Sequence, residues 1–164
     1  MLTLDGKKVT PLVRTNANEQ NGTVSPDGRW LAHESDEAGQ SQVYVRPFPN
    51  VDGGRWQISQ AGGTRPLWAR NGRELFYLDT ARHLMAVPVE ASAAFNAGNP
   101  TKVFEAAYLV PNNGVTYDVS PDGKRFLMIK GRAAEATQPL TQPSMPMVVV
   151  VNWFEELKNR VPVK

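Results

Sequence analysis

Few residues in this chain could do chemistry. His33 and His83 are the only imidazoles, and no recognisable spacing links them to each other or to a nucleophile. His33 stands inside an apolar run and reads as a core or edge histidine satisfied by a backbone carbonyl; the alternative is a metal ligand or catalytic base. Asp27 and Asp122 are acidic loop residues that could ligate a cation, but a calcium loop needs several oxygen ligands at alternating positions and none surround them. The pairs Asp36/Glu37 and Glu155/Glu156 are adjacent in sequence, which suits solvated carboxylates better than two acids flanking a scissile bond. Ser25 and Ser120 have no base at a recognisable distance. The absence of cysteine removes disulfides, thiolate zinc sites and thiol nucleophiles. There is no Gly-x-Ser-x-Gly elbow, phosphate-cradling glycine loop, His-Glu-x-x-His or kinase signature. The expectation is a non-enzymatic chain with no catalytic residues, metal or cofactor.

Ser25 and both aspartates instead belong to a repeated phrase. Ser25-Pro26-Asp27-Gly28-Arg29-Trp30-Leu31-Ala32 returns as Ala69-Arg70-Asn71-Gly72-Arg73-Glu74-Leu75-Phe76 and as Ser120-Pro121-Asp122-Gly123-Lys124-Arg125-Phe126-Leu127. The aspartate position recurs at 27, 71 and 122, the period of a four-stranded propeller blade rather than of a helical solenoid. Proline presets the first central dihedral of a type I turn, aspartate tolerates the next position, and glycine takes the left-handed one that follows. Such a turn joins two strands of a hairpin. After it, Leu31, Leu75 and Phe126 align on one strand face and Ala32, Phe76 and Leu127 on the other, followed by His33, Tyr77 and Met128. Apolar residues on both faces mark a strand buried on both sides.

The fold class that follows is all-β: four-stranded antiparallel propeller blades forming a partial ring, with one short C-terminal helix. Residues 1–164 read as one propeller segment, divided into a half blade (1–15), a blade (21–60), a second blade (65–106) and a last blade with the helix (115–164). First strands are brief, with Val24, Trp68 and Val119 in register; third strands lie at Val43–Val45, Leu84–Val87 and Met147–Val151; fourth strands lie at Trp56–Ile58 and Lys102–Phe104. At the N-terminus, Leu2–Leu4 and Val9–Val13 read as a third and a fourth strand. Asn152 followed by Glu155 has capping-box spacing, and a helix over Trp153–Asn159 would stop before Pro162. Propellers close with four to eight blades, so this chain is too short to close alone. The expectation is a homodimer completing a six-bladed ring if the chain is whole, and an aggregation-prone half-ring if it is a fragment.

Net charge is only +2 with no basic run, which argues against nucleic-acid binding. No apolar run approaches the roughly 18 residues of a membrane-spanning helix, so no direct membrane insertion is expected. Leu2–Lys8 lacks the apolar core of a signal peptide. Standing alone, the chain is expected in the cytoplasm.

The repeat resembles the Pro-Asp-Gly, WD40-like repeat of the TolB-like propeller family over residues 21–60, 65–104 and 116–130. The phrases Val43-Tyr44-Val45-Arg46-Pro47-Phe48-Pro49, Leu84-Met85-Ala86-Val87-Pro88-Val89 and Val151-Asn152-Trp153-Phe154-Glu155-Glu156-Leu157-Lys158 are similar to the C-terminal propeller of large bacterial serine/threonine protein kinases. That resemblance implies a sensor or protein-interaction module of a larger signalling protein, periplasmic or extracytoplasmic if joined to a membrane-anchored kinase. The repeat also occurs in propellers that gate prolyl-oligopeptidase-type hydrolases, which is the alternative reading. For an interaction module, specificity belongs to loops held by the rigid scaffold. The loops between blades and between second and third strands place Asn21, Arg65, Asn113 and His83 as the candidate contacts for a protein or peptide partner.

Overall fold

The computed structural model describes residues 2–3, 6–91, 94–105 and 114–129. Within these residues the chain is antiparallel β-sheet with a single 3-10 turn at Val51–Gly53. Its strands are β1 (Leu2–Thr3), β2 (Lys8–Val9), β3 (Glu19–Val24), β4 (Trp30–Ser35), β5 (Gln42–Pro47), β6 (Trp56–Gln57), β7 (Thr64–Trp68), β8 (Glu74–Leu78), β9 (Leu84–Ala91), β10 (Phe95–Ala97), β11 (Thr101–Phe104), β12 (Tyr117–Val119) and β13 (Phe126–Met128). The first full sheet runs β3-β4-β5-β6, the second β7-β8-β9 with both β10 and β11 on β9, and the third pairs β12 with β13. No helix among the described residues is long and apolar enough to cross a membrane.

The repeated phrase forms the same turn three times. Gly28, Gly72 and Gly123 have φ of 73°, 69° and 70°, the left-handed region that glycine enters without a Cβ clash. Each glycine N–H donates back to the carbonyl of Ser25, Ala69 or Ser120 at 2.8–2.9 Å. Serine and aspartate complete the turn. Ser25 Oγ donates to Asp27 Oδ1 at 2.5 Å and accepts from Trp30 N at 3.0 Å, while Asp27 Oδ1 also accepts from Arg29 N at 3.2 Å. Ser120 and Asp122 repeat these bonds with Arg125 N and Lys124 N. In the second copy Asn71 Oδ1 accepts from Arg73 N at 2.9 Å.

Strand alternation sends successive residues of β4, β8 and β13 to opposite faces, and the three sheets stack along that axis. One core joins the first sheet to the second: Trp30, Ala32, Val43 and Val45 against Trp68, Leu75, Tyr77, Val87 and Phe95. A second core joins the second sheet to the third: Phe76, Leu78, Leu84 and Ala86 against Tyr117 and Val119, with Phe126 and Met128 beside them. The second sheet is therefore buried on both faces. Each fully buried large apolar side chain contributes about 1.5–3 kcal/mol relative to exposure. Leu75 and Leu84 are completely inaccessible. Trp68 Nε1 donates to Thr23 O at 3.2 Å, tying the first strands of adjacent sheets together.

Four expectations need correction. Phe95–Ala97 is not loop but a strand on Val89–Ala91, because Phe95 packs on Trp30 and Trp56 with ring centroids 5.1 and 5.3 Å away. The second sheet thus has five strands. The first strands are longer than expected, since β3 starts at Glu19 and β7 at Thr64. At the N-terminus Leu2–Thr3 pairs with Lys8–Val9, and Thr10–Val13 is not strand. Finally, Leu127 in the third copy is 74% exposed, although its counterparts Ala32 and Phe76 are buried. The expected third strand at Met147–Val151 and the helix at Trp153–Asn159 lie outside the described residues.

Candidate functional site

The antiparallel order gives each stack of strands two unlike edges. The Pro-Asp-Gly turns and their counterparts occupy one, here the turn edge. The other carries the segments 36–41, 58–63 and 79–83 together with the beginnings of β3, β7 and β12. This loop edge holds three of the four candidate residues. The fourth, Asn113, lies outside the described residues.

Asn21 and Arg65 sit inside strands rather than in connecting loops, a correction to the sequence reading. Each occupies a bulge: Gln20 pairs with Glu34 and Thr23 with Ala32, and Thr64 pairs with Leu78 and Leu67 with Phe76. One extra residue on the first strand must be absorbed at each place. Asn21 and Arg65 do so with φ of 49° and 56°, positive values uncommon for residues with a Cβ. The two positions correspond in the repeat, so the bulge is a property of the repeat.

Both residues converge on Glu34, a buried glutamate at the end of β4. Asn21 Nδ2 donates to Glu34 Oε1 at 2.5 Å, and the backbone N–H of Arg65 donates to the same oxygen. The Arg65 side chain is also buried; its Nε donates to Gly114 O at 3.0 Å and its Nη1 to Thr64 Oγ1 at 3.2 Å. Tyr117 Oη donates to Arg65 O at 2.6 Å. Burial pushes the Tyr117 phenol far above its ordinary pKa, so it acts as a donor at every physiological pH. One carboxylate, one guanidinium and one phenol thereby link three consecutive sheets.

A second polar group lies on the far face of the first sheet. His33 Nδ1 is 2.8 Å from Glu19 Oε2 and 3.3 Å from Glu34 O. Both acceptors face Nδ1, and the carboxylate and the carbonyl each favour a proton on that nitrogen. Glu19 Oε1 accepts from Thr15 Oγ1 at 2.6 Å and from Ser35 Oγ at 3.0 Å. Burial lowers the His33 pKa by more than Glu19 raises it, and the imidazole is neutral at pH 7. With Nδ1 facing two acceptors, Nε2 carries the lone pair. It is buried and has no hydrogen-bond partner among the described residues.

His83 belongs to the loop 79–83. Its backbone N–H donates to Asp79 Oδ1 at 2.8 Å and its Nδ1 lies 2.9 Å from Asp79 Oδ2. Its Nε2 faces Glu105 Oε1 at 3.8 Å, and that same oxygen is 2.5 Å from Lys102 Nζ. A carboxylate orienting an imidazole is half of a nucleophile-activating triad. Here the far nitrogen faces a second acid, Glu105, whose pKa is held low by the Lys102 hydrogen bond, so no nucleophile stands where a triad needs one.

Chain crossing between the first two sheets is tight. Gly62 has φ of 93°, and a Cβ there would meet Thr80 Cγ2 at 2.4 Å. Gly62 N donates to Gln42 Oε1 at 3.2 Å and Gly63 N to Ser41 O at 2.9 Å, which fixes the connection to both neighbouring loops. The exposed part of this edge is polar. Arg14, Asn16, Asp36 and Glu37 line a depression there, with Asn18 bonded to both Asp36 oxygens and Glu37 paired to Arg55.

The chain matches no protein-family model and no curated protein sequence.

Glu34 and Glu19 are functional-site candidates that the sequence reading missed. A signal for Glu34 existed, since it is a charged residue in a run expected to be buried on both faces, at the repeat position where Leu78 and Ile129 stand.

Proposed function

We propose that this chain is a non-enzymatic β-propeller module that recognises a protein or peptide through its loop edge, as part of a larger bacterial signalling protein. The observation that carries the reading is the regular stacking of consecutive antiparallel sheets, with equivalent turns at one edge and variable polar loops at the other. A rigid stack with variation confined to one edge is how scaffolds separate stability from recognition. The TolB-like repeat and the kinase-type phrases support the same assignment. Under it, Asn21, Arg65 and Glu34 hold the loop edge in place, and contact falls to exposed Glu37 and Arg82 with half-buried Asp36 and His83 beside them.

The test is selection of binders from a random peptide library, followed by calorimetric titration of an enriched peptide. Charge reversals at the loop edge (Glu37→Arg, Arg82→Glu) are expected to weaken binding at least tenfold without moving the thermal midpoint. Reversals at the turn edge (Arg70→Glu, Arg73→Glu) are expected to leave it unchanged. Equal loss at both edges, or no enriched peptide, would overturn the proposal.

A further inference from the structure

The loop between β8 and β9 repeats the one between β4 and β5, with Asp79-Thr80-Ala81-Arg82 in the place of Asp36-Glu37-Ala38-Gly39. In each, the N–H of the fourth residue donates to the carbonyl of the aspartate, Gly39 to Asp36 at 2.8 Å and Arg82 to Asp79 at 3.0 Å. In each, that residue is left-handed, with φ of 85° at Gly39 and 66° at Arg82. Such a place in a hairpin loop favours glycine, because a Cβ is strained there. Asn21 and Arg65 are left-handed too, but their bulges bring both to Glu34. Arg82 gives the fold nothing of that kind: it is exposed, and its guanidinium has no partner among the described residues. The acids around it are already engaged, Asp36 by Asn18, Glu37 by Arg55, Asp79 by His83 and Glu105 by Lys102. The loop itself is fixed. Asp79 N donates to His83 O at 3.0 Å, His83 N donates to Asp79 Oδ1 at 2.8 Å, and Thr80 packs so closely on Gly62 that no Cβ fits between them.

We propose that Arg82 is the anchor for a carboxylate of the bound peptide. This rests on the reading of the loop edge as a peptide-recognition surface and names the chemistry it selects. A strained backbone persists only where its surroundings fix it, and such residues cluster at sites of recognition. A guanidinium offers paired N–H donors in a plane that matches a carboxylate, and a loop already held in place loses little freedom when the contact forms. With the acids of this edge occupied, the charge left for a partner to neutralise at Arg82 is positive. Glu37 acts in another way. It holds Arg55, so its reversal disturbs the edge itself rather than a direct contact with the peptide carboxylate.

Arg82→Gly tests it, because this change removes the guanidinium and relieves the backbone together. The thermal midpoint of the variant is expected to equal or exceed that of the parent chain, while its affinity for a library-enriched peptide falls about tenfold or more in calorimetric titration. Replacing each Asp or Glu of that peptide by its amide, and separately amidating its C-terminus, identifies the carboxylate and tells a side chain from the chain end. Neutralising that carboxylate is expected to cost the parent chain as much as Arg82→Gly does, and to cost the Arg82→Gly variant almost nothing further. Its loss is expected to add to that of Glu37→Arg. Unchanged affinity in Arg82→Gly, losses that add for every carboxylate, or a midpoint several degrees lower would each overturn the proposal. A peptide that loses affinity with Glu37→Arg but not with Arg82→Gly overturns this proposal alone and leaves recognition at the loop edge standing. The lack of any enriched peptide overturns both.

Discussion

At His33, burial disfavours the imidazolium by more than the neighbouring Glu19 carboxylate favours it, so the folded pKa lies below the ordinary 6.5. The unfolded chain then binds the proton more readily than the folded one. Stability contributed by neutral His33 is complete above about pH 6.5 and declines as pH falls toward the folded pKa. The thermal midpoint should therefore drop between pH 7.5 and 5.5, and His33→Gln should flatten that slope; an identical slope in the variant would show that another group is responsible. Glu34 is a second case. Replacing it by alanine leaves the Asn21 amide and the Arg65 N–H without their acceptor, at an expected cost of roughly 1–3 kcal/mol in urea denaturation. A cost of a few tenths would mean that water takes the place of the carboxylate. The sequence reading took Asn21 and Arg65 as loop contacts for a partner, and their common partner within the chain was not legible. Only the bulges turn both toward one oxygen.

Among the elements, the turn phrase was the most legible feature. Proline, aspartate and glycine act on their own backbone, so their geometry needs little from the rest of the molecule, and all three glycines have the expected sign of φ. Gly72→Ala should cost about 1 kcal/mol or more, because a Cβ is strained at φ of 69° even though the nearest atom, Pro26 Cδ, is a comfortable 3.9 Å away. The β8 side chains give a sharper contrast. Leu75→Ala should cost roughly 2–5 kcal/mol, while Leu127→Ala, at the corresponding strand but 74% exposed, should stay within about 0.5 kcal/mol in the isolated chain. Equal losses would show that the third sheet is covered as thoroughly as the second. Phe95 was missed for a physical reason: Phe95-Asn96-Ala97 has no strand pattern of its own, and it pairs because its ring fits against two tryptophans of the neighbouring sheet.

For the whole molecule, the second sheet contributes to both cores through opposite faces of β8. Damage on one face is transmitted to the other through shared strands. The fluorescence of the chain's four tryptophans, of which Trp30 and Trp68 lie in the first core, should therefore follow the same denaturation curve as far-UV circular dichroism, and Leu75→Ala should shift both midpoints together. Separate transitions would divide the stack into independently stable sheets. The polar links at Glu34, Arg65 and Tyr117 work in the same direction, since each spans a junction between sheets.

What the sequence by itself determined is whatever acts locally or repeats: the turns, the period, the alternation that sends Leu75 one way and Phe76 the other, and the all-β class. Those features depend on dihedral preferences and on residue order, which are properties of short segments. Tertiary structure decided which distant polar atoms meet. Asn21, Glu34, Arg65 and Tyr117 are far apart along the chain, and their hydrogen bonds exist because stacked sheets place the ends of their strands side by side. It also decided exposure. Leu127 reads in sequence like its buried counterparts, and burial depends on a neighbouring face, which no repeat unit carries within itself.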